Sequence, residues 1–212
     1  MELLLVSVIG YLIGAIPFAY IIGKVFYNTD VREKGSGNLG GSNTGRVLGG
    51  KAGVAVMTLD LLKVTLSVFL ASRIGSHSWS MAIGAVSAGI GHCYPIYVHF
   101  RGGKAVAALY GYLFALWIIG GYSPLVFFLP LCVFLLTLAA FKIVSLASIV
   151  SSAAALIYIC AVDNHISAVC AVAAFLVLIV LRHNSNIRRL IVGNERKIRW
   201  IKLSVPPEKG LS

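Results

Sequence analysis

The chain has 212 residues, 58% of them hydrophobic and only 12% charged, whereas a soluble domain carries roughly 25% charged residues. That deficit excludes an ordinary soluble core and describes a chain whose solvent is mostly lipid. The net charge is nevertheless +11. Because the apolar sequence comes in membrane-length blocks, this basic excess suits anionic head groups or anionic substrates better than nucleic acid.

A helix needs roughly 20 apolar residues to cross a hydrocarbon core about 30 Å thick. Seven blocks qualify or nearly qualify, at about 3–26, 53–72, 79–97, 106–120, 122–140, 143–161 and 166–181. The first begins at an acidic Glu2 and is long, so it reads as a span and not as a cleavable signal. Pro17 and Pro130 lie inside spans, where each frees a backbone carbonyl that a neighbouring helix must satisfy. The second block carries Asp60 and Lys63, three apart on one helical face and able to pair. Intramembrane charges signal function by default, and a brace for the bundle is the competing reading. The fourth and seventh blocks are short, which suits a tilted or partly inserted helix. The cysteines, Cys93, Cys132, Cys160 and Cys170, form no CxxC pair. They read as buried free thiols packing as small hydrophobes, with no metal site or disulfide framework.

With the N-terminus outside, the inner segments are about 27–52, 98–105, 141–142 and 182–212. Counting Lys24 at the end of the first span, they hold 16 of the 18 Lys and Arg residues, Lys63 and Arg73 being the others. The positive-inside rule therefore puts the C-terminus and these segments in the cytoplasm. The predicted fold is an all-α integral membrane protein of about seven transmembrane helices, one domain over 1–212, with a basic tail from 182 to 212. In that tail Ile187, Leu190, Ile191, Ile198 and Ile201 recur at helical spacing among Arg and Lys. The pattern predicts an interfacial helix over Asn186–Leu203, followed by a disordered end.

Three polar stretches share the inner face. The first runs from Arg32 to Arg46 and packs glycines, hydroxyls and amides between basic residues. Such a loop can turn successive backbone N–H groups toward one anion. Ser36, Ser42 and Thr44 add donors, and Arg46 offers a planar fork for phosphate. The second, Gly91–Lys104, places Gly102, Gly103 and Lys104 at the start of a helix. A Lys there opposes the helix dipole, and a bound anion would relieve it. Membrane anchoring by snorkelling is the other reading. The third runs from Leu181 to Glu195 and sets His183 and Asn186 three apart, facing the same way. His183 reads as a general base, a phosphate donor or a helix C-cap. The inner carboxylates, Asp30, Glu33, Glu195 and Glu208, form no paired set, which argues against a two-metal phosphoryl-transfer site. No His is followed five residues later by Asp, so that acyltransferase signature is absent as well.

These stretches resemble the acyl-phosphate-dependent glycerol-3-phosphate acyltransferases of bacterial membranes, the PlsY type. That family carries an Arg-Glu-x-Gly-Ser-Gly-Asn-x-Gly loop, a Gly-His-x-x-Pro…Phe-x-Gly-Gly-Lys loop and an Arg-His-x-x-Asn-Ile-x-Arg…Gly-x-Glu segment. Here they stand at Arg32–Asn43, Gly91–Lys104 and Arg182–Glu195, with a matching Ser-Leu-Ala-Ser run at Ser145–Ser148. The resemblance implies acyl transfer from a long-chain acyl phosphate to the 1-hydroxyl of glycerol 3-phosphate, giving lysophosphatidic acid and phosphate, the first acylation of phospholipid synthesis. It implies a multi-pass enzyme of the bacterial inner membrane with its site facing the cytoplasm and with no cofactor or metal. Its partners would be those substrates, membrane lipids and the enzyme that makes acyl phosphate.

By the same resemblance Ser36, Arg46, Lys104, Ser145, His183 and Asn186 form the catalytic set. Gly37, Asn38, Gly40, Ser42, Asn43, His92, Gly102, Gly103 and Glu195 join them in holding substrate. Ala105 and Ala108 stand where the family usually has Gly and Thr, at a cost in backbone freedom and a hydroxyl. Gly41-Ser42 replaces the usual Ala-Thr and keeps a hydroxyl. An organic-anion transporter and a silent lipid-binding paralogue are the alternatives. The transporter would place its substrate near the bilayer midplane between repeated halves, and no repeat is evident.

Overall fold

A computed structural model describes residues 1–162 and 165–198. Its helices are α1 (Glu2–Gly14), α2 (Phe18–Tyr27), α3 (Gly41–Leu48), α4 (Gly50–Ile74) and α5 (Ser80–Cys93). They continue as α6 (Val106–Ile118), α7 (Leu125–Phe141), α8 (Val144–Val162), α9 (Ile166–Arg182) and α10 (Asn184–Ile191). No strand occurs among the described residues. All seven predicted blocks are helical. The pair α1–α2, α4, α5 with the turn after it, and α8 are each long and apolar enough to cross a membrane. The pair α9–α10, bent by 64°, is a fifth candidate, and α6 and α7 are apolar but shorter.

The bundle's polarity is inverted relative to a soluble protein. Leu4, Phe26, Leu136 and Ile157 stand at least 70% exposed, while Ser67, Ser148, Ser151 and Ser152 are buried. Lipid solvates the outward leucines, and the small hydroxyls inside are satisfied by carbonyls, such as Ser67 Oγ donating to Gly84 O at 3.0 Å. The same inversion corrects the reading of the cysteines. Only Cys93 is buried, and Cys132, Cys160 and Cys170 lie exposed on the lipid-facing surface. An apolar run in a membrane helix therefore says nothing about which face its residues occupy.

Small residues set the closest helix approach. Gly14 of α1 lies against Ala88 of α5, and a Cβ added at Gly14 would stand 2.0 Å from the Ala88 carbonyl oxygen. Pro17 splits the first span into α1 and α2. The break is closed from α4, where Lys63 Nζ donates to Ile16 O at 2.8 Å. At the second proline α7 continues as helix, and Tyr110 of α6 donates its hydroxyl to Pro130 O at 3.0 Å.

Two elements differ from expectation. The first polar stretch contains a helix, α3, which lies directly on α4: a Cβ at Gly53 would stand 2.7 Å from Gly45 Cα. Backbone contact through glycines stabilises a segment whose own composition does not favour a helix. The predicted interfacial helix over 186–203 is cut short at Ile191. Gly193 turns the chain at φ +74, and the Ile198 N–H then donates to Lys142 O at 2.7 Å. The rest of that predicted helix lies outside the described residues.

Candidate active site

One cavity of about 890 Å³ collects residues from all three polar stretches. Six cations line it, Arg46, Arg101, Lys104, Arg182, Arg189 and Arg196, against two carboxylates, Asp60 and Glu195. Its remaining wall is apolar and comes from α4, α6 and α7, including Leu61, Tyr110, Leu131 and Phe134. At 13 residues, α6 is about 20 Å long, short of the ~30 Å hydrocarbon core. Its first turn, with Lys104 just before it, forms part of this wall.

Lys104 sits at the centre. Its ammonium donates to Asn186 Oδ1, and the Asn186 amide N–H donates to Glu195. Glu195 also accepts from Ser145 Oγ at 2.9 Å and from Arg189 Nε at 2.7 Å. Burial lowers the Lys104 pKa to about 8, with nearby Glu195 opposing the shift and Arg189, Arg182 and Arg46 adding to it. Burial pushes the Glu195 carboxyl up. Hydrogen bonds from Asn186, Arg189 and Ser145 more than reverse this and hold it below the usual carboxylate range. His183, buried at the α9–α10 bend, hydrogen-bonds through Nδ1 to Ile179 O at 2.8 Å. A carbonyl only accepts, so Nδ1 carries the proton, and in the neutral ring the second nitrogen is left as an acceptor.

The glycine loop before Lys104 is clamped on both sides. Gly103 N–H donates to His92 O at 2.9 Å, and a Cβ on Gly103 would fall 2.0 Å from His92 Nε2. On the other side Arg182 donates to Gly103 O at 3.0 Å and Gly102 O at 3.2 Å, with its guanidinium 5.0 Å from the Tyr94 ring. Beneath the loop, His92 Nδ1 lies 3.5 Å from Asp60 Oδ1, which pairs with Lys63 Nζ at 2.7 Å. Only glycines fit between these partners, so this loop's glycines answer to packing at least as much as to a ligand.

The first polar stretch is built differently from the expected nest. Ser36 N–H donates to Asn43 Oδ1 at 2.7 Å, and Asn43 Nδ2 donates to Val31 O at 3.0 Å and Lys34 O at 3.2 Å. That N–H is therefore committed to the loop, and Asn43 is its internal brace. Arg32 and Asp30 pair at 2.7 Å to anchor the start, and the hydrogen bond from Arg32 holds the Asp30 carboxyl low against its burial. Arg46, in the last turn of α3, has no carboxylate partner among the described residues.

All six residues expected to be catalytic, Ser36, Arg46, Lys104, Ser145, His183 and Asn186, line this one cavity. So do Gly37, Asn38, Gly40, Ser42, Asn43, His92, Gly102 and Glu195, whereas Gly103 is held behind the wall by His92 and Arg182. Sequence reasoning passed over Arg182, Arg189 and Ser148 as lining residues and left Asp60 between a functional and a bracing role. Arg182, Arg189 and Ser148 belong to the quoted motifs, which was a usable signal. For Asp60 no motif exists.

Known proteins match this arrangement along nearly the whole chain. The family profile described as glycerol-3-phosphate acyltransferase matches residues 4–193. A glycerol-3-phosphate acyltransferase of Listeria monocytogenes is 43% identical over 204 residues, covering 94% of this chain and 98% of its own. One of Geobacillus kaustophilus is 40% identical over 196 residues, covering 92% and 96%. The crystal structure of PlsY (YgiH), an integral membrane glycerol 3-phosphate acyltransferase, in its glycerol 3-phosphate form superposes with a TM-score of 0.85 at 33% identity, covering 94% of this chain and 96% of PlsY. Its lysophosphatidic acid form gives 0.84 at 32%. The inverted membrane bundle, the cationic cavity and these matches agree, and the chain belongs to the PlsY-type glycerol-3-phosphate acyltransferase family.

Proposed function

We propose that this protein transfers a long-chain acyl group from acyl phosphate to the 1-hydroxyl of glycerol 3-phosphate at the cytoplasmic face of a bacterial inner membrane. The observation that carries this reading is the composition of a single cavity, whose lining combines six cations and two carboxylates with an apolar wall. Both substrates bear phosphate, and one bears a long apolar tail. The solved PlsY relatives hold glycerol 3-phosphate and lysophosphatidic acid, an acceptor and an acylated product of this type. The cytoplasmic assignment rests on the 16 of 18 cations in the segments that the span order puts on one side.

In this reaction the 1-hydroxyl oxygen attacks the acyl carbonyl carbon. The new ester bond forms, the bond to the donor's phosphate oxygen breaks, and lysophosphatidic acid and inorganic phosphate leave. A phosphate oxygen of the donor takes the hydroxyl proton, so the protein need not supply a strong base. Lys104 and Arg46 neutralise phosphate charge, Ser145 and Asn186 position the reactants, and the unprotonated nitrogen of His183 orients the attacking hydroxyl. Glu195 holds Ser145, Asn186 and Arg189 in place for this work. Ser36 and Ser42 offer hydroxyls at the rim.

Purified protein supplied with glycerol 3-phosphate and palmitoyl phosphate is expected to release phosphate and form lysophosphatidic acid, with little product from palmitoyl-CoA in parallel. Acylation from the thioester alone would reject the donor. No product from either would reject the activity, and counter-flow of glycerol 3-phosphate in vesicles would then favour a transporter.

A further inference from the structure

The apolar part of the cavity has a definite far end. Val106, Ala107 and Tyr110 of α6 face Phe134, Leu131 and Phe127 of α7 along it. The last three fall at a spacing of three and four, one stripe of α7 two turns long. Along α7 the lining residues run from Phe134 to Phe127, about 10 Å of helix. Tyr110 presents its ring to this limb, because its hydroxyl is committed to Pro130 O at 3.0 Å. Its edge contacts to Phe127 and Phe134 have centroids 6.0 and 6.3 Å apart, so the three rings form one wall.

Beyond Phe127 lie further aromatic rings. Phe127 is in ring contact with Phe114 at 5.5 Å, Trp117 at 6.4 Å and Phe128 at 5.2 Å. Phe114 and Trp117 are themselves 5.6 Å apart. None of Phe114, Trp117 and Phe128 lines the cavity. Phe127, Phe114 and Trp117 therefore stand together at the limb's end, where α6 and α7 approach their other ends, with Phe128 on the exposed side. Rings in edge or stacked contact leave little room for a further methylene without displacing one of them.

We propose that this aromatic plug, with Phe127 as its inner face, sets the upper limit on the length of the acyl chain the enzyme transfers. The limb takes a saturated or monounsaturated acyl tail, the carbonyl lying at the Lys104 end and the terminal methyl against Phe127. This rests on the proposed acyl-transfer reading, because it needs the acyl group to enter the limb from the cationic part of the same cavity.

The test is a competition among acyl phosphates of graded chain length for glycerol 3-phosphate, with the lysophosphatidic acid products resolved by mass spectrometry. Phe127→Ala is expected to raise the ratio of the longest product to the intermediate ones by about tenfold, the gain for burying roughly two further methylenes. Leu131→Trp, which fills the limb one turn nearer the site, is expected to shift the same ratio about tenfold the other way. Two variants in opposite directions keep the question decidable if one of them fails to fold. An unchanged product distribution in whichever variants fold would overturn the proposal. Should the wild type use no acyl phosphate but accept acyl-CoA, the same series run with the thioesters still reads the length limit and separates its failure from that of the donor assignment.

Discussion

The molecule contains two clusters of charge, one buried and one partly exposed, and they differ in their balance. Within the bundle, Asp60 and Lys63 pair at 2.7 Å, each with about 3% of its side chain exposed. Lys63 spends a further N–H on Ile16 O, and His92 stands by Asp60. That cluster is closed: one acid, one base, and a carbonyl freed by the Pro17 break. In the neighbouring cluster Lys104, Arg189, Arg182 and Arg46 converge near Glu195, and Lys104 has to accept a neutral amide as its direct partner. Holding a half-buried cation without a matching anion is costly, and under the proposed function a bound phosphate would complete the second cluster. Balanced charge braces a fold, and unbalanced charge awaits a ligand.

The sharpest way to break this comparison is to remove the uncompensated cation. Lys104→Ala is expected to lower kcat/KM by about 100- to 1,000-fold, the scale for deleting one charge-stabilising donor, while the protein still inserts in the membrane and unfolds at a similar temperature. His183→Ala should also lose turnover without losing insertion. Near wild-type phosphate release in both variants would refute the site assignment.

The closed cluster should answer in stability instead. Asp60→Ala strands a buried ammonium and is expected to cost about 3–5 kcal/mol, whereas the neutral pair Asp60→Asn with Lys63→Met should restore most of it. Thermal unfolding in detergent measures both. Equal losses in the single and double variants would show that Asp60 acts through something other than its pairing.

The pH profile separates the clusters without a large structural change. Since burial lowers the Lys104 pKa to about 8, the ammonium is present below that pH and lost above it. The kcat/KM for glycerol 3-phosphate should therefore fall as pH rises through about 8. The limb in kcat should lie higher, because bound phosphate holds the proton on. Lys104→Arg keeps its charge at every accessible pH, so its weaker activity should lose this alkaline limb. Persistence of the limb would assign it to another group.

The smallest effect concerns the residue that follows. Ala105 is buried and sits in the left-handed region at φ +61, capping α6. Ala105→Gly removes the clash of a Cβ there and should stabilise the protein by about 1 kcal/mol, a gain of a few degrees in Tm. A loss of stability would mean that the Ala105 methyl's packing outweighs the strain.

Much of the fold was legible because a membrane imposes few solutions. Apolar length determined seven helical blocks, and the scarce charges marked the three stretches that meet in the cavity. What escaped were features set by contact between remote segments. Helix α3 has little propensity of its own and exists where Gly45 meets Gly53. The tail leaves its helix at Ile191 because Gly193 turns it and Glu195 finds Ser145, Asn186 and Arg189. The chain's pattern said that Asn43 and Gly103 matter. It did not say that one braces its own loop and the other rests on His92.

The sequence by itself determined that the protein lives in a membrane, which segments carry its cations, and which family motifs those segments hold. These follow from local composition and spacing, properties that need no partner. Only the tertiary structure decided that Lys63 also closes on the Ile16 carbonyl while Lys104 stays open, and that the cationic loops share one cavity with an apolar limb ending at Phe127. The physical reason is that pairing and confinement depend on distances between helices, which no local pattern encodes.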